Sequence, residues 1–313
     1  MDRFIGLVCG GAAFAIMVAA PVNAETLPIE GVYPAGNDQL SALNTIAMGP
    51  FGGSEGQSLA IELEQKLRDV RVRGASYFSI VPFRSKGGAD GSLSGTASSR
   101  MENRTEIVEG RACAYEDNNG RCKQWRQVKV ACERRIVTLN YTLSVEGRRR
   151  ERVFGITKTA VDSTLICPDS GEVPAVDVVV GRLVSRVATE LRLQFAPLET
   201  REDIRVKEGT EGLQNNAKKK FKEGIKATKK NVTSACEIWA EVDQLVPNHA
   251  PTLFNLGLCA ESRRDYNAAE GYYQRVADLN RSERYAVEAI ERLNRRRHAE
   301  RQLATQASRR VRR

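Results

Sequence analysis

The chain has 313 residues, of which 41% are hydrophobic and 28% charged, and its formal net charge is +9. This length suggests about two domains, and the composition is that of a globular protein, which excludes wholesale disorder and a coiled-coil rod. Only two His are present, His249 and His298, so a His-built metal centre is nearly excluded and we expect no metal and no cofactor. The excess positive charge favours anionic partners.

Residues 1–24 have the pattern of a secretory signal peptide. A short charged start precedes an apolar run, and Val22-Asn23-Ala24 offers small residues for cleavage after Ala24. The alternative is an uncleaved membrane anchor, for which the apolar run is short. We therefore expect an exported protein of the periplasm, either free or associated with the outer membrane.

The Cys residues indicate disulfide bonds. Cleavage removes Cys9 and leaves six Cys, and an even number in an exported chain favours disulfides. Six Cys allow fifteen pairings. Proximity in the sequence suggests Cys113–Cys122, and Cys132–Cys167 is then the second expected pair. The competing interpretation is a zinc site built from the first four Cys, but such sites usually contain pairs of Cys only a few residues apart.

The first half of the chain predicts a domain of mixed secondary structure. Residues 25–40 are expected to form an extended lead-in, and residues 41–207 an α/β domain. Within this domain a strand at 43–48, a Gly-rich turn, a helix capped by Ser58 and a strand at 77–81 follow each other. This order predicts a βαβ unit, in which the two strands are parallel.

The remainder of this domain is predicted to be β-structure that ends in a helix. The Gly-rich residues 84–95 are typical of a mobile surface loop. Apolar and polar residues alternate strictly from Val137 to Val145, which indicates a strand with one buried face, and residues 153–160 are expected to return antiparallel. An amphipathic helix follows at 174–197. The fold class is therefore α+β, a mixed sheet with packed helices.

Three stretches of this domain, TIAMGPFGG, SLAIELEQKLRDV and SYFSIVPF, resemble the opening of the periplasmic domain of the curli secretion channel, the CsgG-like family. They are also similar to the amino-terminal domain of TolB-type periplasmic proteins. The resemblance covers residues 43–83 and 136–197, and the Cys-bearing stretch 113–132 departs from it. It implies the fold and the periplasmic compartment, and we do not extend it to the secretion activity.

A period of 34 residues starts near residue 212. It relates Ala235, Trp239, Val242 and Leu245 to Ala269, Tyr273, Val276 and Leu279. The pattern resembles the tetratricopeptide repeat (TPR), a helix–turn–helix unit. The resemblance implies an all-α TPR-type module at 208–304 that ends in a capping helix from Glu283, followed by a disordered basic tail at 305–313. The residues expected to pack the repeats are Ala235, Trp239, Gly257, Ala269 and Tyr273. The resemblance also implies that the helices carrying Cys236 and Cys259 lie side by side, so Cys236–Cys259 is the third expected disulfide.

The TPR resemblance also implies a binding groove, which the first helices of each pair line in that family. The corresponding positions here are Lys220, Phe254, Asn255, Leu258 and Glu261. The alternative is that Phe254 and Leu258 only pack against a neighbouring helix, and the sequence does not decide between the two.

The positive charge is concentrated in two segments. Residues 218–230 hold seven Lys and one Glu, and residues 295–313 hold eight Arg and one Glu. In an exported protein such segments suit anionic lipid, cell-wall polymer or an acidic protein rather than nucleic acid. The alternative is a solvated helix face and a frayed tail.

Together these features favour a non-enzymatic periplasmic adaptor or scaffold that binds proteins of the cell envelope through TPR-type repeats, in an assembly or secretion system. A second hypothesis is a subunit of an oligomeric, outer-membrane-associated CsgG-like secretion complex. An envelope hydrolase is the third and least favoured, since the chain contains no His-Glu-x-x-His motif. The sequence does not identify the partner, the pathway or the oligomeric state.

Overall fold

A computed structural model describes residues 25–279 and 284–311, and the predicted signal peptide lies outside the described residues. The strands are β1 (Thr26–Tyr33), β2 (Thr45–Gly52), β3 (Arg71–Val72), β4 (Ala75–Ser76), β5 (Ser79–Pro82), β6 (Gly91–Glu116), β7 (Cys122–Gly147), β8 (Arg152–Ile166) and β9 (Leu198–Arg205). The α-helices are α1 (Asp38–Ser41), α2 (Gly56–Arg68), α3 (Val176–Phe195), α4 (Asn215–Ala227), α5 (Val232–Leu245), α6 (Ala250–Ser262), α7 (Tyr266–Leu279) and α8 (Arg284–Val311). This mixture of a sheet with helices confirms the α+β class.

The described chain divides into two compact units. The first contains residues 45–70 and 78–192, and the second contains residues 25–44, 71–77, 193–279 and 284–311. The second unit therefore includes residues that the sequence assigned to the lead-in and to the first domain. The reason is that β1 pairs with β9 along its whole length, antiparallel, from Thr26–Arg205 to Tyr33–Leu198.

The first unit is built on a five-stranded sheet of order β5-β2-β6-β7-β8. Strands β2 and β5 are parallel, as the predicted βαβ unit requires, and β6, β7 and β8 form an antiparallel meander. The prediction of a mobile loop at 84–95 is wrong for residues 91–95, which begin β6 between β2 and β7. Leu93 is fully buried there, and a Cβ at Gly95 would lie 2.4 Å from the Thr142 carbonyl oxygen. Gly95 therefore serves close strand packing rather than flexibility.

Two amphipathic helices cover this sheet. Helix α2 buries Leu59, Leu63 and Leu67, one residue per turn. Its N-cap is Glu55, and Ser58 lies inside the first turn, so the predicted cap at Ser58 is wrong. Helix α3 lies beside β8, since the Arg186 guanidinium donates to the Val161 carbonyl at 3.0 Å. Its buried residues are Val179, Val180, Leu183, Val184, Val187, Ala188 and Leu191.

The core of the second unit joins strand β1 to the helices. Leu27 and Ile29 of β1 are fully buried in one apolar cluster with Phe221, Trp239 and Leu253. Consecutive helices α4 to α7 are connected by turns of a few residues, as in helical hairpins. Helix α8 contacts both α7 and β1.

Helix α8 is longer than predicted. It continues to Val311 instead of ending at residue 304, so the expected disordered tail is helical over 305–311, and residues 312–313 and Glu283 lie outside the described part. The buried Gln306 amide donates to the carbonyl oxygens of Leu43 (3.0 Å) and Tyr77 (2.8 Å). These contacts hold the end of the helix against residues far away in the sequence, which composition alone does not reveal.

Candidate functional site

Four of the five residues predicted to line a groove are buried in the core of the second unit. Phe254, Asn255, Leu258 and Glu261 lie on α6 and are at most 3% exposed. Lys220 lies on α4, half-buried, and forms an ion pair with Glu241 of α5. The groove prediction is therefore wrong for the four residues of α6 in this structure, and the packing alternative describes them.

The chain itself covers this face of α6. The Asn255 side chain accepts from the Lys207 backbone N–H at 2.8 Å and donates to the Lys207 carbonyl at 2.9 Å. The Lys207 ammonium lies 3.6 Å from the centre of the Tyr285 ring and 5.6 Å from that of Phe254. The Lys207 backbone thus forms both hydrogen bonds of the Asn255 side chain, and the Lys207 ammonium lies over the faces of two aromatic rings. An external segment would have to displace Lys207 to reach Asn255.

A buried ion-pair network is centred on Glu261. Its carboxylate accepts two hydrogen bonds from Arg292, both at 2.8 Å, and one from the Tyr273 hydroxyl at 2.8 Å. The fully buried Arg296 lies 3.4 Å from the same carboxylate and 3.5 Å from Glu202. A Cβ at Gly31 would lie only 2.6 Å from the Arg296 guanidinium, so this glycine makes room for it. The network joins α6 and α7 to α8, β1 and β9.

The surroundings shift the pKa values of two members of this network. Burial raises the pKa of the Tyr273 phenol, and the negative charge of Glu261 raises it further. Burial alone would lower the pKa of Arg292, but the hydrogen bonds and charge of Glu261 raise it overall. The phenol thus stays protonated and the guanidinium charged, which suits a structural network.

The five residues predicted to pack the repeats lie in the core of the second unit. Ala235, Trp239, Ala269 and Tyr273 are fully buried, and a Cβ at Gly257 would lie 2.3 Å from the Tyr273 ring. Sequence reasoning missed Gly224, where a Cβ would lie 2.5 Å from Trp239 Nε1. The two glycines are 33 residues apart, not 34.

This 33-residue relation has a sequence signal. Residues 221–225 read FKEGI and residues 254–258 read FNLGL, so Phe221 corresponds to Phe254, and both are buried. The second helices repeat after 34 residues and the first helices after 33. A 34-residue period therefore relates Phe254 to Lys220, whereas the 33-residue period relates it to Phe221.

The six Cys of the described residues are paired as predicted. The structure has disulfides Cys113–Cys122, Cys132–Cys167 and Cys236–Cys259. The first two lie in the first unit, and the third joins α5 to α6. The zinc alternative is therefore wrong, because the four Cys that it requires are bonded in pairs.

A Gly-x-Ser-x-Gly sequence, which the sequence reasoning missed, spans Gly52–Gly56. It lies at the turn from β2 to α2, the strand–turn–helix context of a hydrolase nucleophile. The Ser54 hydroxyl accepts from the Ser99 N–H at 3.3 Å, and Glu55 accepts from the Ser99 hydroxyl at 2.9 Å. Neither His of the chain belongs to the residues of this unit, so Ser54 has no imidazole base within it.

The two most exposed large apolar side chains of the first unit, Ile107 and Tyr115, lie on a two-stranded ribbon. Pairing of β6 with β2 ends at Thr96, and pairing of β7 with β8 ends at Glu133. Residues 106–132, here called the projecting ribbon, therefore pair only with each other among the described residues. Ile107 is 67% exposed, Tyr115 61% and Trp125 43%. The register places Ile107 and Trp125 on one face of the ribbon and Tyr115 on the other.

The two disulfides of the first unit brace this ribbon. Cys113–Cys122 joins its strands near the tip, and Cys132–Cys167 joins its base to the segment after β8. At the tip, Asp117 accepts from the backbone N–H groups of Asn119 and Arg121, and these bonds lower the pKa of its carboxyl. The ribbon thus presents large apolar side chains on a covalently fixed backbone.

No protein-family model matches the sequence, and no curated protein matches it either. Among solved structures, a variant PelC dodecamer from Paraburkholderia phytofirmans is similar with 12% identity and a TM-score of 0.24, over 54% of this chain and 98% of that chain. This similarity is too low to support a conclusion about fold or function, and the CsgG-like resemblance stays a prediction. No helix of the described residues has the length and apolar character needed to span a membrane.

Proposed function

We propose that the protein is an exported, non-enzymatic adaptor of the cell envelope, and that it binds a protein partner through the projecting ribbon. The observation that supports this most is the exposure of Ile107, Tyr115 and Trp125 on a ribbon with no other strand beside it among the described residues. Exposed aromatic residues are enriched where proteins bind each other. The three disulfides support export, since such bonds persist in oxidising compartments.

The bracing of the ribbon suits a binding element. A backbone held by disulfides at the tip and the base loses little conformational entropy when a partner binds. Trp and Tyr add large contact areas with few rotatable bonds. The TPR-type module then acts as a scaffold, because Lys207 of the same chain covers Asn255 and Phe254 on α6.

Site-specific photo-crosslinking in the native envelope tests this role. A photoreactive residue at Trp125 is expected to yield a discrete adduct with one protein, identified by mass spectrometry. The matched control position is Leu245 on α5, which is 52% exposed. The adduct should disappear in an Ile107→Ser/Tyr115→Ser variant that folds normally. Identical adducts from both positions, or none from Trp125, would contradict the proposal.

A second function, binding to an anionic surface, is favoured by α4. Lys219, Lys222 and Lys226 are exposed and spaced three and four residues apart, so they lie on one face of the helix. Near an anionic membrane each basic side chain contributes about 1 kcal/mol of binding free energy. We propose that this lysine face binds anionic lipid headgroups.

Vesicle co-sedimentation tests the lysine face. Vesicles that contain anionic phosphatidylglycerol should bind the protein at low salt, and neutral phosphatidylcholine vesicles should not. The Lys219→Gln/Lys222→Gln/Lys226→Gln variant is expected to bind about 100-fold more weakly. The control variant removes three exposed charges elsewhere, with Arg149→Gln, Lys158→Gln and Arg182→Gln. Equal losses in both variants would show only a net-charge effect and contradict a specific lysine face.

A further inference from the structure

One side of strand β6 is covered by no other strand over part of its length in the described structure. Beyond Thr96, β6 pairs with β7 on one side only. Residues 100–106, here called the open edge, follow the last contact with β2 and extend to the first residue of the projecting ribbon. All of them are exposed except the half-buried Glu106. An exposed strand edge is a template for pairing with another strand.

The backbone of the open edge is oriented for such pairing. Ala97 O accepts from the Glu55 N–H at 3.0 Å, and Ser99 N–H donates to Ser54 at 3.3 Å. Odd-numbered residues of β6 therefore direct their backbone polar groups away from β7. The alternation of a strand continues this pattern to Met101, Asn103 and Thr105. Three successive odd residues thus offer donors and acceptors to a new strand.

The side chains of the open edge alternate in charge on one face. The even residues read Arg100, Glu102, Arg104 and Glu106. Their common face is shown by the ion pair from Arg104 Nε to Glu102 Oε1 at 2.7 Å. The odd residues Met101, Asn103 and Thr105 are uncharged.

This pattern is self-complementary when the strand is reversed. In an antiparallel pair about a two-fold axis at Asn103, Glu102 lies opposite Arg104 of the copy, and Arg100 lies opposite Glu106 of the copy. The axis repeats both pairs, so four attractive charge pairs form. An axis moved by one residue, to Glu102 or Arg104, places like charges opposite each other. The charges therefore select one register.

The other edge of the ribbon does not share this property. Between Cys122 and Cys132, strand β7 carries Lys123, Arg126 and Lys129 and no acidic residue. Two copies of this edge would repel each other.

We propose that the protein forms a two-fold dimer by antiparallel pairing of the open edges of β6, centred on Asn103. This proposal is independent of the partner-binding role of the ribbon.

Complementary charge variants test the dimer. The Arg100→Glu/Arg104→Glu variant has an acidic edge, and the Glu102→Lys/Glu106→Lys variant has a basic edge. Sedimentation equilibrium of the wild-type protein without residues 1–24 should show a concentration-dependent dimer that weakens with salt. Each variant alone should raise the dissociation constant about tenfold or more, because four attractive pairs become repulsive. An equimolar mixture of the two variants should restore the dimer, which also shows that both are folded.

Cysteine variants test the register. Asn103→Cys should form a disulfide-linked dimer under mild oxidation, since residue 103 lies opposite itself. Thr105→Cys alone should not, because its copy lies four residues away, about 13 Å along the strand. Thr105→Cys mixed with Met101→Cys should cross-link. A wild-type protein that stays monomeric at the highest concentration, or variants that associate as the wild type does, would overturn the proposal, and so would equal cross-linking at 103 and 105.

Discussion

Glu261 has a carboxylate in a fully buried position, a site that is costly for an unpaired charge. Two arginines, Arg292 and Arg296, and the Tyr273 hydroxyl compensate it. Glu202 lies beside Arg296 and balances the second guanidinium. Glu261 was predicted to face a partner in a groove. It instead forms a buried ion-pair network within the second unit.

Removal of the Glu261 charge is expected to destabilise the second unit strongly. Glu261→Gln should lower the free energy of unfolding by about 3–5 kcal/mol, because two buried guanidinium groups lose their main counter-charge. Urea denaturation in a Trp125→Phe background, where Trp239 is the single Trp, reports on this unit. The control is Glu241→Gln, which breaks the more exposed pair with Lys220 and should cost about 1 kcal/mol or less. Similar losses in both variants would contradict the buried network.

His249 has a different role, as the N-cap of α6. Its Nδ1 accepts from the Thr252 N–H at 3.4 Å, and the side chain is 7% exposed. Burial lowers the pKa of this imidazole below its usual 6.5, although Glu211 acts in the opposite direction. The folded protein therefore binds fewer protons than the unfolded chain between the two pKa values, and stability falls as the pH drops through this range.

Lower pH should therefore destabilise the second unit through His249. The free energy of unfolding is expected to decrease from pH 7.5 to pH 5, and part of this decrease should be absent in His249→Asn. Asn caps a helix but does not titrate in this range. Urea denaturation at several pH values measures the effect. An unchanged pH dependence in His249→Asn would show that other groups cause it, and His298→Asn is the matched control.

At the scale of elements, basic side chains of α8 contact other segments of the second unit. Arg297 forms an ion pair with Glu270 of α7 at 2.8 Å. Arg310 donates to the Tyr77 carbonyl at 3.0 Å, and the Gln302 side chain accepts from the Ala35 N–H at 2.8 Å. Arg297 and Arg310 of the basic segment thus contact the folded chain.

Loss of the Gln306 amide is expected to loosen the end of α8. Gln306→Ala should lower the free energy of unfolding of the second unit by about 1–3 kcal/mol, because two buried carbonyls lose their donor. Thr305→Ala, at the neighbouring exposed position, should change it by less than about 0.5 kcal/mol. Hydrogen exchange should also show protected amides at 300–308 in the wild type. Rapid exchange there would restore the disordered-tail hypothesis.

The Cys236–Cys259 disulfide joins two helices that belong to successive hairpins. The double variant Cys236→Ser/Cys259→Ser should lower the free energy of unfolding of the second unit by about 2–4 kcal/mol. The same substitutions at Cys113 and Cys122 should leave this unit unchanged, since that bond lies in the other one. Denaturation followed by Trp239 fluorescence distinguishes these outcomes. Equal effects of both double variants would contradict the assignment.

At the scale of the whole molecule, the six Cys outside residues 1–24 are expected to contain no free thiol. Thiol titration of this chain, unfolded but not reduced, should give none, and reduction should release six. Cys9 would add one thiol if residues 1–24 were retained. Four or more free thiols in the chain without residues 1–24 would contradict the three disulfides.

Local patterns in the sequence predicted most elements of this protein. The strict alternation around Val137–Val145 lies within β7, and the amphipathic pattern at 174–197 is close to α3. The disulfides Cys113–Cys122 and Cys132–Cys167 followed from the spacing of the Cys residues, and Cys236–Cys259 followed from the repeat pattern. These features depend on residues near each other in the sequence or on small sets of reactive side chains, so periodicity and spacing are sufficient to find them.

Only the tertiary structure showed which surfaces are exposed and could contact a partner. The sequence left open whether residues of α6 line a groove or pack in the core, and it predicted a disordered tail at 305–313. In the structure Asn255 of α6 binds Lys207, 48 residues away, and Gln306 binds Leu43, 263 residues away. The sequence likewise did not predict the long β6–β7 hairpin or its open edge, which follow from the strand register. Periodicity shows which face of an element is apolar, but contacts between residues distant in the sequence determine which segment covers a face and which strand edge stays open.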